Sequence, residues 1–366
     1  MIKKNFKNGK YFTRELLSWN ATHNNRPMPW KQEKDAYKIW ISEIILQQTQ
    51  VKQGLGYYQR FVENFPTITA LAHAEDEKVF KLWEGLGYYS RCRNLLYTAR
   101  LIVNDLEGIF PVNYENILAL KGVGPYTAAA IASFAYNHPY AVIDGNVFRV
   151  LARFFGISQP IDCTTGKKLF IELAHNLLDK IAPATYNQAI MDFGATICKP
   201  KQPLCIECPL QKKCFAFKNN LVGQLPVKEK SIIKTNRYLN YLVIIYDGKV
   251  FVRQRITKDI WHSLNEFVLI ETSKVFQLKN IKQDTIYKAI DQQGTLKIIE
   301  TSKLMRQQLT HLNVSGIFII ASLKNFVDIN SYKLVPLDEL SQLPFPKFIT
   351  AFLKDYTVSL NLPQAV

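Results

Sequence analysis

The chain has 366 residues, of which 48% are hydrophobic and 21% charged. That length provides for about two to three domains with cores of their own, and the composition excludes both a small cysteine-stapled module and a largely disordered chain. A formal net charge of +16 favours a polyanionic partner, because neutralising phosphates releases counterions, although a solvated basic surface would give the same sum.

The basic opening MIKKNFKNGK runs into YFTRELLSWN with no apolar segment, so no secretory signal is expected, and no later stretch has the length of a membrane span. The expected location is cytoplasmic. There cysteines stay reduced, and a cluster of them points to metal or catalysis rather than disulfides.

Tyr11 to Trp19 is the first predicted helix, and Asn24 to Trp30 is a loop stiffened by Pro27 and Pro29. Ala36 to Gln50 reads as a helix with a wide apolar face made by Tyr37, Trp40, Ile41, Ile44, Ile45 and Leu46. Glu43 falls among these side chains and shares a face with Gln47, while Gln48, Thr49 and Gln50 lie at the helix end. Two readings follow for Glu43: a solvated glutamate on the polar edge, or a desolvated one that keeps a proton near neutrality. Further helices are predicted at Tyr57 to Phe65, Thr67 to His73 and Asp76 to Trp83. After them comes the turn Gly85-Leu86-Gly87 with paired Tyr88 and Tyr89, leading into a basic helix from Arg91 to Val103. Aromatic tips beside positive charge suit insertion into a base stack, and the core is the commoner place for tyrosines.

The stretch around Gly122-Val123-Gly124 joins an apolar helix end, Ile117 to Leu120, to a helix opened by Pro125 and continued by the run Ala128 to Ala132. Such a glycine turn is ordinary between packed helices. It also directs amides at a helix N-terminus outward, where they can hold a phosphate. Helices are predicted at Asn146 to Phe155, Lys167 to Lys180 and Tyr186 to Ile197. The next feature is Cys198, Cys205, Cys208 and Cys214, a C-x6-C-x2-C-x5-C run stiffened by Pro200, Pro203 and Pro209. Four such thiols imply one metal site. The spacing is not that of a zinc ribbon, zinc stays open, and an iron–sulfur cluster is favoured. Cys92 and Cys163 stand apart and are expected to be buried small hydrophobes.

Lys218 to Asn236 is polar and lysine-rich, as a linker should be, and after it the helix period gives way to a strand period. Tyr238 to Tyr246, the turn Asp247-Gly248, and Lys249 to Arg255 predict a β-hairpin. Strands follow at Thr295 to Glu300 and Val314 to Leu323, with a closing helix at Pro346 to Tyr356. The fold class is therefore an all-α region followed by a separate α+β domain.

Taken together, SEIILQQTQV, GLGYYSRCRN, KGVGPYTAAAI, IDGNVFRVLAR and the four cysteines in order resemble the helix-hairpin-helix DNA glycosylases, and within them the MutY-type adenine glycosylases. The resemblance is dense from Arg26 to Cys214. It implies an all-α catalytic region at 1–217, with a six-helix part at about 31–136 and an iron–sulfur part made from about 1–30 plus 137–217. A linker at 218–236 and a Nudix-like lesion-recognition domain at 237–366 would follow. Trp261 to Phe267 carries the weaker C-terminal likeness, and the acidic box of a Nudix hydrolase is missing, so recognition without nucleotide hydrolysis is expected there.

The same resemblance implies roles for residues. Glu43 would protonate the departing adenine at N7 and later activate water, and Asp144 would stabilise or transiently bond the anomeric carbon, with Tyr126 and Asn146 orienting the acids. Tyr126 stands where bifunctional relatives carry a lysine nucleophile, which implies base removal without strand cleavage. Lys121 is not at that position and would serve a phosphate. Arg26, Trp30, Leu46 and Gln188 would line the adenine pocket. Gln48 and Tyr88 would wedge the vacated stack, with Thr49 and Leu86 near the opposite base and Gly122, Val123 and Gly124 on the backbone. Cys198, Cys205, Cys208 and Cys214 would hold a [4Fe-4S] cluster. The implied partner is duplex DNA with adenine opposite 8-oxoguanine or guanine, met by a monomer away from membranes. One departure concerns the lesion reader: the family's Phe-Ser-His turn aligns with Leu309-Thr310-His311, leaving Thr310 and His311 as the reading pair with a β-branch and no aromatic support. An endonuclease III-like glycosylase/lyase and a non-enzymatic iron–sulfur DNA-binding protein are the competing readings.

Overall fold

The computed structural model describes residues 8–28, 30–229, 233–275 and 278–356. Pro29, residues 230–232 of the expected linker and the last ten residues of the expected C-terminal domain lie outside the described residues. The chain divides into two compact units, one of residues 1–73 and 94–231, the other of residues 74–93 and 232–366.

The first unit is helical. It holds α1 (Gly9–His23), α2 (Ala36–Leu46), α3 (Val51–Asn64) and α4 (Ile68–Ala72), then α7 (Tyr114–Leu118) to α12 (Phe215–Lys218). α8 (Pro125–Phe134) packs against α2, α7 and α11 (Pro183–Thr196). The run Ala128 to Ala132 is wholly buried, so small side chains let the α8 backbone approach its neighbours closely. α9 (Gly145–Phe155) and α10 (Thr164–Leu177) join α1 and α11 around an apolar core that includes Phe12, Trp19, Leu151, Phe170 and Phe193. Trp19 meets Phe193 edge-on at 5.0 Å, one of the aromatic geometries that add to simple burial.

α2 is shorter than the apolar pattern suggests. It stops at Leu46, and Gln48 takes φ 56, a left-handed conformation that a non-glycine residue rarely adopts. The periodicity of Ile41 to Leu46 carried no information about this break, because Gln47 and Gln48 are good helix formers.

α6 (Tyr89–Asp105) is one continuous helix. Its first turn belongs to the second unit, together with α5 (Asp76–Trp83). Among the described residues, that unit also holds a sheet of nine strands centred on β1 (Thr235–Tyr246). β1 forms a hairpin with β2 (Lys249–Gln254), pairs antiparallel with β4 (Val268–Thr272), and runs parallel to β7 (Leu312–Gly316) and β8 (Phe318–Leu323). β3 (Asn265–Glu266) and β9 (Lys333–Pro336) pair with β2, β5 (Leu296–Thr301) with β8, and β6 (Met305–Gln308) with β7. Tyr287 and Ile290 of α13 (Thr285–Gly294) join one apolar cluster of the sheet, and Phe352 of α14 (Lys347–Asp355) stacks on Phe318 at 4.0 Å.

The single strand expected over Val314 to Leu323 is two strands. At the break, a Cβ on Gly316 would lie 1.7 Å from the Leu239 carbonyl oxygen, so only glycine allows β7 to press this closely on β1. The buried Asn240 side chain fills the gap, accepting from the Ile317 amide at 3.3 Å and donating to the Ile270 carbonyl at 3.2 Å. Cys92 is buried as expected, whereas Cys163 is half-buried: its sulfur caps α10, accepting from the Gly166 amide at 3.3 Å. Among the described residues no helix is long and apolar enough to cross a membrane.

Candidate active site

A pocket in the helical unit gathers residues distant in sequence. Its walls include Arg26 and Trp30 from the α1–α2 connection, Glu43 and Leu46 from α2, and Thr49 just beyond it. Tyr126 from α8, Asp144 and Asn146 at the start of α9, and Gln188 from α11 line it as well. All eight residues predicted for acid chemistry and base binding meet here, and Thr49, expected beside the DNA, joins them. Trp30 is buried and meets Tyr58 edge-on at 5.4 Å, so the ring packs as well as lines the wall.

Glu43 is only 6% exposed, which decides between its two readings. Burial pushes its carboxyl up to about 7, the hydroxyl of Tyr126 opposes this by hydrogen bonding to the carboxylate, and the nearby charge of Asp144 adds to the rise. A carboxyl of this kind carries a proton at neutral pH about half the time. Burial lifts the Tyr126 hydroxyl far above its ordinary range, with the charges of Glu43 and Asp144 adding to it, so Tyr126 stays a neutral donor.

Asp144 sits differently. It is the N-cap of α9, with one oxygen accepting from the amides of Asn146 and Val147, both at 2.8 Å, and the other accepting from Asn146 Nδ2 at 2.5 Å. Burial raises its pKa, and the Val147 amide, both Asn146 groups and the Arg149 charge all pull it back. Burial thus raises both acids, and at Asp144 the helix N-terminus opposes the rise with donors that favour the ionised form. The loop ahead of Asp144 is fixed by buried Asn187, which accepts from the Val142 amide at 3.0 Å and donates to Ser133 Oγ at 2.9 Å and the Tyr140 carbonyl at 2.8 Å.

Several residues important to this geometry gave no signal in the sequence. Buried Arg149 donates to Asn146 Oδ1 at 2.8 Å and to the carbonyls of Gly194 and Cys198, both at 2.7 Å. Gly194 leaves room for Asn146, since a Cβ there would lie 2.6 Å from Asn146 Cβ. Arg153 holds the chain after α11 by donating to the carbonyls of Lys199 at 2.8 Å, Pro200 at 3.2 Å and Leu225 at 3.0 Å. These arginines sit on an amphipathic helix, where a sequence reader assigns charge to solvent.

Cys198, Cys205, Cys208 and Cys214 line one small cavity with Arg153, Ile197 and Phe217. Arg153 Nη1 lies 3.5 Å from Cys198 Sγ. Among the described residues no three His, Cys, Asp or Glu side chains converge as a ready-made ion site. At the hairpin, Gly122 has φ 83 and a Cβ there would lie 2.6 Å from Asn94 Cβ, so the position requires glycine twice over. Gly124 caps α8, Pro125 is its first residue, and Val123 is buried. Lys121 is exposed, with its ammonium 4.1 Å from the centre of the Tyr97 ring.

In the second unit the tyrosine pair divides: Tyr89 is buried and Tyr88 is 41% exposed with φ 49. The Tyr88 hydroxyl is in contact with that of Thr310, so two residues assigned separate DNA tasks are neighbours. Arg91 stiffens the turn, its guanidinium 5.4 Å from the Trp83 ring and 5.6 Å from the Tyr88 ring, with a hydrogen bond to the Gly87 carbonyl at 3.2 Å. Leu86 is buried, Gln48 and His311 are exposed, and the His311 carbonyl accepts from the Thr235 amide at 3.0 Å.

A helix–glycine turn–helix next to a pocket with one buried acid of raised pKa and one helix-capping acid defines a helix-hairpin-helix base-excision glycosylase core. In agreement, residues 41–171 match the family model for an HhH-GPD superfamily base excision DNA repair protein. A thermostable thymine-DNA glycosylase of known structure is similar with a TM-score of 0.54 and 31% identity, over 58% of this chain and 98% of that one. An adenine DNA glycosylase of Buchnera aphidicola subsp. Baizongia pistaciae is 35% identical over 318 residues, 84% of this chain and 86% of the relative. That of Buchnera aphidicola subsp. Schizaphis graminum is 36% identical over 279 residues, 75% of this chain and 79% of the relative. The chain belongs to the adenine DNA glycosylases, hydrolases of base excision repair that cleave the N-glycosidic bond of adenine in DNA.

Proposed function

We propose that this glycosylase removes adenine mispaired with 8-oxoguanine or guanine in duplex DNA and leaves an abasic site without cutting the strand. The observation that carries the reading is a buried Glu43, with its pKa raised to about 7, sharing a pocket with Asp144 at the N-terminus of α9. Glycosidic cleavage passes through an oxocarbenium-like state, which needs a proton for the leaving base and negative charge beside the sugar. Glu43 supplies the proton and then activates water, Asp144 faces the cationic sugar, and Tyr126 and Asn146 hold the two acids. Arg26, Trp30, Leu46 and Gln188 bind the extruded adenine. With a tyrosine at 126 there is no amine at the position where bifunctional relatives carry their lysine nucleophile, so borohydride should trap no enzyme–DNA adduct.

The remaining assignments follow the same reading. Gln48 and Tyr88 enter the base stack, Thr49 and Leu86 lie towards the opposite base, and the turn Gly122-Val123-Gly124 takes a backbone phosphate. Thr310 and His311, on a Nudix-like domain without hydrolase chemistry, read the 8-oxoguanine. Cys198, Cys205, Cys208 and Cys214 hold a [4Fe-4S] cluster. The four thiols line one cavity, as the ligands of a single cluster must, and Arg153 beside Cys198 would offset thiolate charge. When bound, the cluster would supply a rigid anchor for the loop after α11. The enzyme acts as a cytoplasmic monomer.

The test is single-turnover excision from duplexes that pair adenine with 8-oxoguanine, guanine or thymine, by wild type and Thr310→Ala. Faster release opposite 8-oxoguanine, with the preference reduced by the substitution, is expected. Equal release from all three duplexes would overturn the mispair assignment, and an unchanged preference would remove Thr310 from the reader.

A further inference from the structure

Behind the pocket wall lies a carboxylate that the proposed chemistry does not use. Asp192 on α11 is completely buried. Its Oδ1 accepts from Arg26 Nη1 at 2.8 Å and Gln188 Nε2 at 2.9 Å. Its Oδ2 accepts from Asn24 Nδ2 at 2.9 Å and pairs with Lys31 Nζ at 3.2 Å. An ionised carboxylate offers about four lone-pair positions and no donor, and here donors fill all of them. Three of these partners, Arg26, Lys31 and Gln188, themselves line the pocket.

Gln188 carries one acceptor and one donor group at the end of its side chain, and either can face a base. A carboxylate oxygen only accepts, so the Gln188 edge that meets Asp192 must be the NH2. The carbonyl oxygen is then left for the pocket. Adenine offers an exocyclic amino donor at the six position, whereas hypoxanthine offers a keto acceptor at the same place. An oxygen held towards the base pairs with the first and repels the second.

We infer that Asp192 is a positioning residue for base selection: it fixes the Gln188 amide so that its oxygen faces the base, and this orientation separates 6-amino from 6-keto purines. The inference rests on the reading that Gln188 lies against the extruded base. It concerns discrimination rather than rate. A buried group with only a structural role would slow the release of both bases alike.

The experiment measures single-turnover release of adenine and of hypoxanthine from otherwise identical duplexes opposite 8-oxoguanine, and follows the ratio of the two rates. Asp192→Leu keeps the branched heavy-atom skeleton, though in a larger group, and removes every acceptor, and Arg26 and Lys31 are exposed enough to be rehydrated. The adenine-to-hypoxanthine ratio is expected to fall at least about tenfold. Gln188→Leu should produce a similar fall, and the double variant should fall no further than Gln188→Leu alone. If Asp192→Leu lowers both rates by one factor while Gln188→Leu collapses the ratio, the Asp192 inference is wrong and base binding by Gln188 stands. If neither substitution moves the ratio, the placing of the base against Gln188 fails too. Should Asp192→Leu not fold, 15N-detected exchange on wild type decides: a Gln188 Nε2 amide protected from solvent supports the inference, and one exchanging at the free rate overturns it.

Discussion

Substitution of Glu43 by Gln should stabilise the protein in a pH-dependent way while removing its activity. The folded protein holds this carboxyl up to about 7, against an ordinary value of 4.5, mainly because burial disfavours the charged form. Between these values the folded state keeps a proton that the unfolded chain has released. The stability associated with the neutral carboxyl is therefore fully present below 4.5 and is lost as pH rises through about 7. At about 1.4 kcal/mol per pH unit, the loss amounts to about 3 kcal/mol at pH 8. Glutamine has nearly the same shape as the neutral acid and never ionises. Urea unfolding should therefore find Glu43→Gln and wild type close together at pH 4, and the variant more stable by about 3 kcal/mol at pH 8. A difference that is the same at both pH values would refute the argument, because burial of an ionisable acid would then not be the cause.

Two glycines provide further checks on the geometry. Gly194→Ala places a Cβ 2.6 Å from Asn146 Cβ, so it should cost about 2 kcal/mol in urea unfolding and slow adenine release more than it weakens DNA binding. Retained activity with full stability would mean that α11 and α9 are less closely packed than described. Gly316→Ala meets the Leu239 carbonyl at 1.7 Å. It should cost about 2 kcal/mol or more and speed proteolysis within the sheet unit before the helical unit, and unchanged protection of the sheet would contradict the register of β1 against β7 and β8.

Much of the site was legible because its chemistry resides in short, dense motifs. Glu43 in SEIILQQT and Asp144 in IDGNVFRV carried their roles by resemblance, and the pocket brings both together with Tyr126 and Gln188. Local turn chemistry was readable for the same reason: Gly122 needs its positive φ, and Asp247-Gly248 makes the hairpin between β1 and β2. What sequence could not supply is contact between distant side chains. Arg149, Arg153 and Asp192 are buried charges whose partners lie as far as 168 residues away, as in the bond from Asn24 to Asp192. Gly194 and Gly316 look like helix and strand weaknesses until the neighbouring backbone is seen. The helix end at Leu46 was hidden likewise, and the break between β7 and β8 depends on the close approach at Gly316 rather than on periodicity.

The central claim is that a protonated Glu43 and an ionised Asp144 together break the glycosidic bond. Its most direct test is single-turnover adenine release opposite 8-oxoguanine by Glu43→Gln and by Asp144→Asn, whose oxygen can still cap α9. Each substitution is predicted to slow release by about 100-fold or more with DNA binding retained. Near-normal release by either variant would contradict the account.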